Sequence, residues 1–407
     1  MPHSSSTPPL RRSVRQTRDR LATALITAGG IGVIVAVMAI GIFLAVEVLP
    51  LFWSSADTPR IDLQALWLPQ PYTGLEAPAH RWQPALPEGG GEPRFGMLPL
   101  VWGTLEAAAW SLVIAVPLAL GAAAHSALFM SPRLRARLRP TLELMEAMPG
   151  VVIGFVAGLV LAPWLDNHLA LGAVLLILLP PGVLLAGGLW SRLGGRLHRR
   201  LPMGWAAVWL MPWLLVIWGL AVWLAPLLEA WWFGGSLRTW LEVHLGLAYA
   251  NRNAIIVGMA MGFAVMPSIY ALAEDALSGV PGNLVEGAEA LGATRWQTLW
   301  KVVLPAAGPG VLSAVMIGAG RAVGETMIVL MASGNTALMT ANPLDGLRSM
   351  AASIAIELPE AAPGGTHYRL LLLAALLLFA FTFCVNTLAE VVRARLRRRY
   401  RRMEGLA

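Results

Sequence analysis

The sequence predicts an all-α polytopic membrane protein with about eight transmembrane helices, and three observations predict it. Of 407 residues, 57% are hydrophobic and only 13% are charged, where a soluble domain carries about 25% charged residues. Apolar runs of membrane-spanning length recur along the chain. A segment in hydrocarbon must satisfy its own backbone hydrogen bonds, which a helix does internally.

Taken in order, the spans are expected near 21–46, 97–129, 141–165, 169–190, 204–228, 253–272, 306–332 and 369–389. The second is long for a single crossing and is expected to begin with an interfacial helix around 97–103. The stretches 169–190 and 204–228 are rich in Leu and Trp and nearly free of charge, which reads as lipid-facing or peripheral helices with Trp at the interfaces. Between the first and second spans, 47–96 carries "PALPEGGGEPRFG". It reads as an irregular loop with no room for a sizeable domain. The resulting organisation is a basic N-terminus at 1–20, a first transmembrane helix at 21–46, a loop at 47–96, a transmembrane domain at 97–390 and a basic tail at 391–407.

The net charge is +7, and the basic residues are almost all Arg, Lys301 being the only Lys. In a soluble protein that balance points to nucleic acid. Here the arginines cluster in short loops beside apolar runs, where they orient helices, and no nucleic-acid partner is expected. Of 30 Lys and Arg, 22 fall in 1–20, 130–140, 191–203, 273–305 and 390–407, and six in the alternate connections. That asymmetry predicts both termini on the cytoplasmic side. The basic start "RRSVRQTRDR" leads into an apolar run too long for a cleaved signal peptide. Cys384 is the only cysteine, so neither an intrachain disulfide nor a cysteine-based metal site is available.

The connection 273–305, "AEDALSGVPGNLVEGAEALGATRWQTLWKVVLPAA" with its flanks, is long, polar and cytoplasmic in this topology. Leu284, Ala288 and Leu291 share one helical face. Gly292 supplies a sharp turn or a close backbone approach. Trp296, Leu299, Trp300 and Val303 form a second apolar side, and Pro305 opens the next span. Such a helix–Gly–helix element either fills a groove on a soluble partner or lies on lipid.

Glu286, Gly287, Ala288, Gly292, Leu304 and Pro305 resemble the EAA loop of ABC-importer permeases, with Gly287 where Ala is usual. The resemblance extends to "MGFAVMPSIYALAEDAL", "GRAVGETMIVLMASGN" and "GGTHYRLLLLAALLLFAFTFCVNTLAEVVR", which look like the permease of the phosphate-specific (Pst) uptake system, in its PstC-type form. It is strongest over about 253–400 and extends to 98–165. The resemblance implies a type I ABC-importer permease fold with two extra helices at 169–228. It also implies that the loop at 273–305 is a coupling loop that docks on two copies of an ATP-binding subunit. A second, PstA-type permease, a periplasmic phosphate-binding protein and an inner-membrane location complete the implied machinery. An ion-coupled secondary transporter, or an ABC permease for a different oxyanion, is the alternative. A membrane enzyme would need a His, Asp or Ser constellation at membrane depth, and none is evident.

Within the seventh span, "GAGRAVGETMIVLMASG" carries Arg321 and Glu325. A charge at membrane depth costs about 2.5–3.5 kcal/mol on insertion scales. Counting from Pro305, Arg321 is expected ~24 Å along the helix, past the midplane and toward the outer half. Glu325 at i+4 is then within ion-pair reach. The pair either locks helices together or lines the substrate path, with Arg321 offering a fork for an anion and Glu325 keeping it from trapping that anion. Gly320 and Gly324 form a small-xxx-small pair suited to close packing. Glu106 is read as lining an entrance or reaching the interface. Glu143 and Glu146 are read as acids at the positive start of the third span, and His367 as an interfacial histidine.

The chain is not expected to be an enzyme. Its single lysine sits in "LWKVV", so the Gly-Lys-Ser/Thr of a phosphate-binding loop is missing, and ATP hydrolysis falls to a partner. The histidines show no metal-ligand spacing, and no cofactor or metal is expected.

Overall fold

The structure, a computed structural model, describes residues 9–52, 63–72, 78–84, 93–192 and 206–404. The glycine- and proline-rich stretch at 85–92, most of the basic connection near 193–203 and the two chain ends lie outside the described residues.

Among the described residues, eight helices are long and apolar enough to cross a membrane, as the hydropathy pattern requires. The first is α1 (Pro9–Val48). A short α2 (Leu63–Trp67) and an antiparallel pair, β1 (Trp82–Gln83) with β2 (Arg94–Phe95), follow. The second span, α3 (Leu98–Leu128), is one unbroken helix. The interfacial segment expected at 97–103 is its first turns, with Pro99 in the first turn, where its missing N–H costs nothing.

The third span starts later than expected. Pro132–Glu146 forms a separate amphipathic helix, α4, with no buried residue, because Arg133, Arg135, Arg137 and Arg139 lie along it. Pro149 then ends helical geometry. The crossing proper is α5 (Gly150–Val156), a π turn at Ala157–Leu161, and α6 (Ala162–Asn167). Next come α7 (Leu169–Arg192), α8 (Ala206–Trp232), a short α9 (Leu237–Leu245) and α10 (Ala254–Ser278). The loop helix α11 (Gly282–Ala290) follows, and the seventh span then rises through α12 (Arg295–Thr298), a π turn at Leu299–Val303 and α13 (Leu304–Gly324). It then breaks: Glu325 is extended, and α14 (Met327–Ala332) restarts the helix. A connection containing α15 (Met350–Glu357) leads to the last span, α16 (Thr366–Glu404).

The core is the crossing of α3 and α10, the most extensive contact between elements. Gly103, Ala107, Ser111, Ala115, Ala119 and Ala123 are all buried at four-residue spacing along α3. This stripe of small side chains lets a neighbouring backbone come close. Gly258 of α10 rests against Trp110, where an added Cβ would stand 2.7 Å from Trp110 Cβ. The second tight crossing is α5 on α14, where a Cβ on Gly154 would lie 2.9 Å from the backbone at Met327 and Ile328. Outside this core, α7 and α8 pack mainly on each other, around Ala170, Leu171, Val174, Ala221 and Ala225. Their Leu, Val and Trp side chains are otherwise exposed, the surface that hydrocarbon covers. Helix α1 lies along α16, with Gly41 against Phe379.

The described parts of the connection at 47–96 are tied into the bundle. Leu66, Trp82 and Met97 are buried with Leu370 and Leu371. Beneath them Glu357 is a hub: its carboxylate accepts from Trp82 Nε1 (3.0 Å), pairs with Arg348 (2.5 Å) and contacts His367 Nε2 (2.8 Å). His367 is thus a part-buried member of a polar cluster, its ring tilted against Trp82 and Phe95.

Candidate functional site

Three elements converge on Arg321. It lies in the last turn of α13. Its Nη1 donates to Glu146 Oε1 at 2.7 Å and to Ser268 Oγ. Ser268 Oγ itself donates to Glu146 Oε1 at 2.7 Å. Glu146 is the last residue of α4, and Ser268 follows Pro267 inside α10. The Arg321 and Glu146 side chains keep 37% and 42% of their accessibility, whereas Ser268 is buried. Hydrogen bonds between ionised groups are about twice as strong as neutral ones, so this junction fixes the arginine while leaving one side of it open.

The expected pairing of Arg321 with Glu325 is not what forms. Four-residue spacing brings side chains together only on a continuous helix, and α13 stops at Gly324. Glu325 turns instead to the far side of the same junction. Its Oε1 lies against Gly150, where an added Cβ would stand 3.0 Å away, and it accepts from Ile328 N at 3.5 Å, near the start of α14. Arg321 and Glu325 therefore rest on the two ends of the 146–150 turn. The capping role read for Glu143 and Glu146 also fails, because the third span begins at Gly150. Glu143 pairs with Arg139 within α4 (3.4 Å), and Glu146 takes Arg321.

The depth of Arg321 changes as well. Its partner Ser268 is ten residues from Ser278 and fourteen from Ala254. That is ~15 Å from the end of α10 that meets the basic helix α4 and ~21 Å from the other. The rise counted from Pro305 does not set this depth; the contact with Ser268 puts Arg321 nearer the end that meets α4. Of the two glycines read as a packing pair, Gly320 is buried against Asn386 of α16, but Gly324 faces open space.

The same end of the bundle is tied by ion pairs between α4 and α10. Arg135 meets Glu274 and donates to Ser278 Oγ (2.6 Å), and Arg139 lies 3.3 Å from Asp275. Asp275, more than Glu274, holds the Arg139 guanidinium above the ordinary arginine range. Beyond these ties lies the loop that resembles the EAA motif. Helix α11 carries Glu286, Gly287 and Ala288 and buries nothing. Gly292 has φ +87°, and a Cβ there would meet nothing within 4 Å. In this chain its backbone angle, not close packing, requires glycine. A capping box of Thr294 and Gln297 starts α12. Leu284, Leu291, Trp296 and Trp300 are exposed, Leu291 by 91%, and the two Trp rings meet edge to face. Leu304 and Pro305 continue the helix from the π turn into α13. Elsewhere, Glu106 is half-buried in α3.

Sequence reasoning missed Glu146 and Ser268 as partners of Arg321. The available signals were an acid just before the Pro149–Gly150 break and a hydroxyl at membrane depth directly after Pro267.

Residues 180–401 match the family model described as binding-protein-dependent transport system inner membrane component. The chain belongs to that family. Among relatives, it is 24% identical over 385 residues, 94% of each chain, to the probable ABC transporter permease protein YqgH of Bacillus subtilis. It is 28% identical over 299 residues to phosphate transport system permease protein PstC 1 of Mycobacterium tuberculosis, covering 73% of this chain and 71% of the relative. Over a shorter stretch of 135 residues, 33% of this chain and 42% of the relative, identity to the PstC protein of Haemophilus influenzae reaches 36%. The chain is thus a multi-pass ABC permease, a membrane subunit and not an enzyme.

Proposed function

We propose that this chain is the permease subunit of an ATP-driven phosphate importer and forms half of a path shared with a second, PstA-type permease. The observation that carries this reading is Arg321. It is a guanidinium more than a third exposed inside the bundle, a planar fork matched to a tetrahedral oxyanion, in a chain several of whose relatives are phosphate permeases by name. Ionisable groups within membrane spans mark substrate paths. Phosphate arrives from a periplasmic binding protein and passes Arg321 toward the cytoplasm. Glu325 braces the turn beside it by way of Gly150. Two ATP-binding subunits act through the loop built on Glu286, Gly287, Ala288, Gly292, Leu304 and Pro305. The exposed Leu284, Leu291 and Trp296 of that loop are the apolar anchors such docking uses. The permease domain spans 97–390, with α7 and α8 as a peripheral addition. The protein sits in the inner membrane with both termini cytoplasmic.

Arg321→Gln tests the path. The variant is expected to insert in normal amount and to lose phosphate uptake by at least about tenfold, the scale of one charge-assisted hydrogen bond in free energy. Undiminished uptake contradicts the assignment.

A further inference from the structure

The carboxylate on Arg321 belongs to the protein itself, and its geometry is that of a bound oxyanion. One oxygen, Glu146 Oε1, receives Arg321 Nη1 and Ser268 Oγ, each at 2.7 Å. Arg321 makes both its contacts through Nη1, leaving Nη2 and Nε without partners among the described residues. The pair is not sealed, since both side chains remain more than a third exposed. Glu146 is also tethered at an element end. It closes α4, and only Ala147, Met148 and Pro149 separate it from α5. A pair built only to lock the fold is better placed out of solvent, as Glu357 and Arg348 are, with 9% and 14% of their side chains exposed.

We propose that Glu146 is a tethered competitor for the transported anion. Its carboxylate occupies the position on Arg321 and Ser268 that a phosphate oxygen takes during passage, and Ser268 is a second anion ligand. The proposal rests on the phosphate path through Arg321. An arginine in a water-poor path, left alone, would hold a doubly charged anion too long. A carboxylate on a short tether acts at an effective concentration in the millimolar range or above. It re-forms the internal pair as the anion leaves, so binding stays weak and release stays fast. Passage is then an exchange of one oxyanion for another on the same donors, with the arginine paired in both states.

The test uses the full transporter in lipid vesicles, with labelled inorganic phosphate as probe. Equilibrium binding is measured without binding protein or ATP, and uptake is measured with both. Glu146→Gln keeps the shape and removes the competing charge. It is expected to bind phosphate about tenfold more tightly than wild type, the worth of one charge-assisted contact, and to turn over more slowly. Ser268→Ala, a small change at a buried site, is expected to weaken phosphate binding several-fold in either background. Sulfate should compete for the tightened site in Glu146→Gln, since the competitor acts through charge. Equal or weaker phosphate binding by Glu146→Gln overturns the proposal, as does the absence of measurable binding in both proteins. In either case a loss of uptake in Arg321→Gln leaves the path reading standing. Retained uptake in Arg321→Gln removes the path and the competitor together.

Discussion

Glu357 shows how one residue can hold a region that the sequence presents as loop. Its carboxylate is 9% exposed and serves Arg348, His367 and Trp82 Nε1 at once. Removing one partner of a buried ion pair costs about 3–5 kcal/mol, because the other charge is left buried without compensation. Glu357→Ala is therefore expected to lower the detergent melting temperature by several degrees and to free Trp82 from its buried site. A melting temperature within a degree of wild type contradicts this. The difference from Arg321 is one of exposure. The Glu357 carboxylate is nearly buried, while Arg321 keeps an open face and, among the described residues, donors without partners. Neither partnership was legible in the sequence, for the same physical reason. Glu357 lies 275 residues from Trp82, and Arg321 lies 175 from Glu146. Local spacing could offer Arg321 only Glu325, a neighbour that the helix break at Gly324 takes away.

At the level of elements, hydropathy found all eight spans because a run of about twenty apolar residues has no competing explanation in a chain of this composition. What it could not find were interruptions inside apolar sequence. Helix α4 carries enough leucine to be joined to the third span, and Met327–Ala332 is as apolar as the helix before it. The four-residue stripe of buried small residues from Gly103 to Ala123 was not read in advance, because hydropathy marks spans and not faces. The loop after α10 was legible as helix–Gly–helix, and Gly292 at φ +87° bears out the sharp turn. Any side chain there is strained, and Asp adds a charge beside the exposed Leu291. Gly292→Asp is expected to insert normally but to lose most co-purification with the ATP-binding subunit, and most uptake with it. Wild-type recovery of that subunit contradicts the docking role of the loop.

At the scale of the molecule, one end of the bundle collects the basic helix α4, its ion pairs to Glu274 and Asp275, the exposed apolar loop and Arg321 with its carboxylate partner. The other carries the Glu357 cluster and the small sheet. The excess of arginine is the ground for proposing that the first end is cytoplasmic. In a Cys384→Ser background, cysteines at Arg137 and Arg192 are expected to resist an impermeant reagent applied from outside, and one at Ala341 to react. Outside labelling at Arg192 contradicts the crossing of α7 and α8. The central claim, that this chain passes phosphate under the control of a separate ATPase, is tested most directly by reconstitution. The permease pair, the ATP-binding subunit and the binding protein are placed in vesicles, and uptake of labelled phosphate is followed with sulfate and arsenate as competitors. ATP-dependent accumulation of phosphate that arsenate inhibits and sulfate does not is the predicted result. Phosphate uptake without ATP, or ATP-driven uptake that sulfate abolishes while phosphate does not accumulate, would contradict it.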